Sequence, residues 1–296
     1  MSHARMLGAA LIAALMLVTP AAAQAKAQKQ LFVSLGDSYA TGWQVQGPGK
    51  RGNTTNSFSH QLVPLAKKRG YDLQQVNFGC GGATTDSMLQ QTKPCPKALR
   101  AVGGRAWGGK TQTAAAEAFL RKNRGKVALV TVSISGNDVT ACARGGQDPV
   151  ACVGAAAEKV KKNVTTIAKR LRAAAGPKVR IVGITYPDVI LGQYVGEGAN
   201  PQLAQLSVVA FQSIINPALK TAYEGVKGRF VDVTAATGAY TPLTQTTTLP
   251  PYGTVPVAVA KVCELTYYCS DRDIHMKTEG YAIIADLIAK TLPKRK

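Results

Sequence analysis

The sequence predicts an α/β fold built on a mostly parallel sheet, and three observations carry that reading. Five apolar runs rich in β-branched residues recur at wide intervals, and they are too continuous in their apolarity for half-exposed strands. Helix-like stretches separate them, so strand and helix alternate. No internal repeat and no low-complexity linker divides the chain, so a single domain is expected over 28–296.

The chain opens with Arg5, an apolar stretch from Met6 to Val18, Pro20 and then small residues, "AAAQAKA". This is the layout of a secretory signal peptide over 1–23, with cleavage after Ala23 or as late as Ala27. The apolar stretch is too short to cross a bilayer comfortably, so a secreted, extracellular protein is expected.

The first strand is expected in "LFVSLG" (31–36). A helix in "SFSHQLVPLAKKRG" precedes the second, "QQVNFG" (74–79). A helix in "TAAAEAFLRKNRG", ending at Gly125, precedes the third, "KVALVTVSISG" (126–136). A long helix stopping at Gly176-Pro177 precedes the fourth, "KVRIVGITYP" (178–187). Another, which Pro217 is expected to break or kink, precedes the fifth, "GRFVDVT" (228–234). An amphipathic helix, "TEGYAIIADLIAKTL", closes the chain. Two regions stand outside the alternation: a Gly-rich stretch at 103–110, and 235–272, rich in Thr and Pro. The second is either an apolar acyl groove built on Leu243, Leu249, Tyr252, Val255, Val257 and Val259, or a packed, disulfide-tied loop.

Hydrophobic residues make up 46% of the 296 residues, which is enough for a core and argues against global disorder. Six cysteines suit an oxidising compartment and fall into local couples, Cys80 with Cys95, Cys142 with Cys152 and Cys263 with Cys269. Their spacings do not fit a zinc site. A net charge of +20 attracts anionic partners such as lipid head groups or acidic wall polymers. The basic residues are scattered on helix faces without interleaved aromatics, so no nucleic-acid partner is expected.

In open α/β sheets, sites form beyond the carboxyl ends of the strands. Gly36-Asp37-Ser38 follows the first strand, "GCGGATT" (79–85) the second and Gly136-Asn137-Asp138 the third; "SDRDIH" (270–275) precedes the last helix. These parts suit acyl transfer. A serine at a strand-to-helix turn exposes its hydroxyl, a base must take its proton, and the oxyanion needs preorganised donors such as glycine N–H groups and the Asn137 amide. Of the three histidines, His3 lies in the leader and His60 on a helix face, where a structural role is expected. His275 alone sits at the expected edge beside carboxylates.

These four segments, in order, resemble the four blocks of the SGNH hydrolases, also called GDSL esterases and lipases. The resemblance extends across nearly the whole mature chain and to the secreted, disulfide-containing actinobacterial branch. It implies a three-layer α/β/α, flavodoxin-like sandwich with five parallel strands. It also implies hydrolysis of small-molecule or lipid esters by a monomer without cofactor or metal. It places the nucleophile at Ser38, the base at His275, and the oxyanion donors at Ser38, Gly82 and Asn137. The family's acid lies three residues before the base, where this chain has Arg272. Asp273, Asp271 and the backbone carbonyl of Arg272 are therefore the candidates for holding the second ring nitrogen.

Three weaker signals compete. "GRAWGGKT" (104–111) matches a phosphate-binding loop pattern but follows no strand-like segment. Asn53 and Asn163 head glycosylation sequons. The irregular acid position also admits a non-catalytic binder of anionic envelope or lipid surfaces on the same fold.

Overall fold

A computed structural model describes residues 29–142 and 149–295; the expected leader lies outside them. The first part of the chain forms β1 (Gln30–Gly36), the short helix α1 (Ser38–Thr41), a hairpin of β2 (Trp43–Gly47) and β3 (Lys50–Asn53), α2 (Phe58–Lys67), β4 (Leu73–Asn77) and α3 (Thr85–Gln90). The middle forms α4 (Gln112–Lys122), β5 (Val127–Ser133), α5 (Gly136–Thr140), α6 (Pro149–Ala175), β6 (Arg180–Ile184), α7 (Pro201–Ala210), α8 (Asn216–Glu224) and β7 (Arg229–Val231). The last part forms α9 (Val233–Ala236), a hairpin of β8 (Thr246–Leu249) and β9 (Gly253–Pro256), α10 (Val257–Leu265), α11 (Tyr268–Asp271) and α12 (Thr278–Thr291).

Each of the five expected runs supplies one strand of a central sheet ordered β4-β1-β5-β6-β7. All four pairings are parallel. The pleat sends alternate side chains to opposite faces. Val33, Leu35, Val130 and Val132 pack with Leu120 of α4, Val164 and Leu171 of α6 and Leu219 of α8. Phe32, Leu129, Val182 and Ile184 pack with Leu62 of α2 and with Ile284 and Ile288 of α12. The expected three-layer α/β/α sandwich results. Among the described residues no helix is long and apolar enough to cross a membrane.

The strands are shorter than the apolar runs. The run at 126–136 yields a strand only to Ser133, because Ser135 (φ +118) turns the chain into α5. The helix before it is capped at Asn123, and Gly125, at φ +81, lies two residues beyond. Pro217 neither breaks nor sharply ends its helix. One π-helical turn, Phe211–Ile215, joins α7 to α8, and Pro217 sits in the first turn of α8. The wider turn relieves the clash a proline ring makes with the carbonyl four residues before it.

The 235–272 segment is the packed alternative rather than the groove. Val255 and Val259 are buried with Leu191, Val195 and Ala204, and Leu243, Leu249 and Tyr252 pack against them. The disulfides Cys80–Cys95, Cys142–Cys152 and Cys263–Cys269 are all closed. The Gly-rich stretch at 104–111 has no strand before it, and Thr111 serves as the N-cap of α4.

At Gly183 in β6, a Cβ would stand 1.9 Å from the ring of Tyr223, a fully buried side chain of α8. Gly183→Ala must displace that ring or the helix, so we expect urea unfolding to show a loss of about 3 kcal/mol or more.

Candidate active site

The site begins with a close approach of two backbones. Gly36 ends β1 at φ +135, and a Cβ there would lie 1.9 Å from the Ser133 carbonyl oxygen at the end of β5. Only glycine lets these strand ends meet. The Gln112 side chain clamps the same residue, accepting from Gly36 N (2.7 Å) and donating to Gly36 O (3.0 Å). Asp37 N then donates to Ser133 O, and the Asp37 carboxylate caps α1 by accepting from Tyr39 N. Ser38 therefore opens a one-turn helix at the edge of the sheet, where β1 and β5 diverge.

His275 Nε2 lies 2.7 Å from Ser38 Oγ, although 237 residues separate them. Its Nδ1 lies 2.6 Å from Asp273 Oδ1, which also accepts from the His275 backbone N–H at 2.9 Å. Asp271 instead accepts from the neighbouring Ser270 hydroxyl, and Arg272 turns the chain at φ +51. Burial pushes the Asp273 carboxyl up, but its bonds to His275 and the charge of Arg51 outweigh that and hold it below the usual carboxylate range. Arg51, from the β2–β3 hairpin, stands 3.7 Å from Asp273 Oδ2. The Tyr39 hydroxyl donates to Ile274 O at 2.6 Å and ties the serine turn to the histidine loop.

The glycine-rich turn and α5 bring the other predicted residues to the same edge. Gly82 has φ +78, a second position that favours glycine. The backbone N–H groups of Ser38 and Gly82 donate to no protein acceptor among the described residues. Asn137 Nδ2 gives one N–H to Ala83 O at 2.9 Å and keeps the other. Asp138 accepts from both Thr85 N and Thr85 Oγ1, which fixes α5 to the turn. Asn163 of α6 bridges Thr85 and Asp86. Its amide is thus held within the fold, as is that of Asn53, which donates to Ala98 O and Arg100 O. His60 pairs with the α2 cap Ser57, and burial lowers its basicity.

A pocket of about 160 Å³ opens beside Ser38 and Asn137. Its walls are almost wholly apolar: Val139, Val153, Val189, Leu206, Val209, Phe211, Ile214 and Ile215. The walls come from α5, α6, α7 and the π-turn, so the groove expected at 235–272 lies at 203–215 instead.

Sequence reasoning did not single out Gln112, Arg51, Tyr39, Tyr186 or Thr85. Tyr39 had one available signal, its place directly after Ser38. The others act across 50 residues or more and left none.

A family model described as GDSL-like Lipase/Acylhydrolase matches residues 34–283. Among solved structures, an extracellular lipase from Streptomyces rimosus aligns with a TM-score of 0.52 at 16% identity, over 89% of this chain and 100% of that one. Phospholipase A1 from Streptomyces albidoflavus NA297 aligns with a TM-score of 0.51 at 15% identity, over 89% and 99%. At these identities the likeness is one of fold. A search of curated proteins returns no match.

Two carboxyls near the site are fully buried. Asp37 accepts from the Tyr186 hydroxyl and Asp188 from that of Ser207, and burial pushes each up to about 7. A carboxyl raised above its ordinary 3.8 stabilises the fold fully below about pH 4, and that contribution is lost as pH rises through about 7. Melting temperature is expected to fall from pH 5 to 8, and Asp188→Asn to flatten the fall; an unchanged profile would contradict the raised Asp188 carboxyl.

Proposed function

The chain belongs to the GDSL-like lipase/acylhydrolase family, and from that premise we propose that it is a secreted serine hydrolase of acyl esters. The observation that carries the reading is the unbroken hydrogen-bonded chain from Ser38 through His275 to Asp273, with an apolar pocket opening at its serine end. With Nδ1–H donating to the Asp273 carboxylate, Nε2 is left as the acceptor for the Ser38 proton.

Ser38 Oγ attacks the ester carbonyl carbon as His275 takes the hydroxyl proton. Negative charge moves to the former carbonyl oxygen. The unspent N–H groups of Ser38 and Gly82 and the second N–H of Asn137 are the donors available to it. Collapse expels the alcohol, which leaves with the proton from His275. Water, deprotonated by the same ring, then attacks the acyl-serine and releases the acid. Asp273 stays ionised throughout, and its environment, which lowers its affinity for a proton, supports that role. Export by the residue 1–23 leader, with one domain following, is part of the same proposal and agrees with three disulfides.

The pocket favours an acyl chain longer than acetyl. Each methylene it buries contributes about 0.8 kcal/mol, or roughly fourfold in kcat/KM, until the cavity is full. On p-nitrophenyl esters we expect kcat/KM to rise from acetate through octanoate, and Ile214→Trp to erase the rise while sparing acetate. A flat chain-length series would refute the pocket's role.

Ser38→Ala should abolish both hydrolysis and labelling by a fluorophosphonate probe; retained labelling would reject the nucleophile. Asp273→Asn should lower kcat roughly 10³- to 10⁴-fold, with Asp271→Asn near wild type. The reverse order would reassign the acid.

A further inference from the structure

The edge of the sheet away from Ser38 has a chemistry of its own. Helices α2, α4, α6 and α8 end there, and β4, β5, β6 and β7 begin there. A groove of about 830 Å³ runs under the starts of β1, β5 and β6. Five cationic side chains line it, Arg124, Arg172, Lys178, Arg180 and Arg295, and no carboxylate does.

Helix ends account for part of this charge. The last carbonyls of a helix carry partial negative charge and attract cations. Arg124 donates to Ala173 O and Ala174 O at the end of α6, and Arg172 donates to Gly176 O, Val179 O and Val226 O. Arg295 donates to the Gln30 side chain and lies 3.7 Å over the Tyr71 ring. Lys178 and Arg180 are not explained in this way. Among the described residues their side chains make no hydrogen bond and no ion pair. Two unspent cations therefore stand beside three fixed ones in a concave site without a counter-charge, on a chain of net charge +20.

We propose that this groove docks a linear phosphate polymer and holds the protein by its base, with Ser38 facing away. A bilayer fits less well. The exposed large hydrophobics Val102, Leu206 and Val209 do not line the groove, so nothing there enters hydrocarbon. A nucleic acid fits less well because the one aromatic ring in the groove, Tyr71, is already covered by Arg295 and offers bases no stacking face. β1 separates groove and serine by its seven residues, roughly 20 Å, so a docked polymer leaves the pocket open.

The test uses the full mature chain, long-chain inorganic polyphosphate and, separately, phosphatidylglycerol vesicles. Polyphosphate is expected to bind with an affinity that falls steeply with salt. Lys178→Gln/Arg180→Gln is expected to weaken binding about tenfold at low salt and to flatten the slope of log Kd against log salt by about one. Lys161→Gln/Lys162→Gln on α6 removes the same charge elsewhere and should leave binding unchanged. If it weakens binding equally, the effect is net charge and the proposal falls. It also falls if only vesicles bind, or if polyphosphate competes with ester hydrolysis. Thermal melting checks the fold, and Lys178→Gln alone, at an exposed position, carries the test should the double variant not fold. The binding readouts do not depend on ester hydrolysis, so failure of the hydrolase reading would leave them intact.

Discussion

The close approach of Gly36 to the Ser133 carbonyl is the constraint from which the rest of the site follows. It brings the ends of β1 and β5 together at the point where the chain connections diverge to opposite faces of the sheet. Ser38 comes off one strand end, and Ser135 to Asp138 off the other. Any side chain at residue 36 would force the two apart, and the hydroxyl and the Asn137 amide would no longer share one pocket. Gln112, bonded to both the N–H and the carbonyl of Gly36, holds that contact from the α4 side.

Around this contact, buried polar groups replace packing as the positioning device. Asp138 ties α5 to the glycine-rich turn through Thr85, and Tyr39 ties the serine turn to the histidine loop through Ile274 O. Asp37 sits beneath the serine, held by Tyr39 N and the Tyr186 hydroxyl. Each bond joins segments far apart in sequence, and each polar atom would be costly to bury alone. The histidine loop is the most exposed part, and there the hairpin residue Arg51 supplies the counter-charge to Asp273.

The two edges of the sheet differ in kind. One edge gathers carboxylates in bonded pairs around an apolar pocket, and the other gathers cations at helix ends. The asymmetry follows from the parallel topology. Every helix that precedes a strand ends at the same edge, so the negative helix ends accumulate there and basic residues are stabilised beside them. The 235–272 segment takes no part in the pocket because its apolar residues are consumed in a separate cluster against Leu191, Val195 and Ala204.

What the sequence determined by itself was what short-range periodicity and composition encode. The five runs, their parallel arrangement, the helices between them, the local cysteine couples and the four segments at one edge were all legible, because each depends on residues close in the chain. The choice among Asp273, Asp271 and the Arg272 carbonyl was not legible, because it turns on the φ of +51 at Arg272 and on a hairpin more than 200 residues away. The pocket wall was not legible either: residues 203–215 read as an ordinary helix interrupted by Pro217. Only packing against α5 and α6 made the π-turn the wall of a cavity. Side-chain direction and long-range contact decided these points, and neither is carried by spacing along the chain.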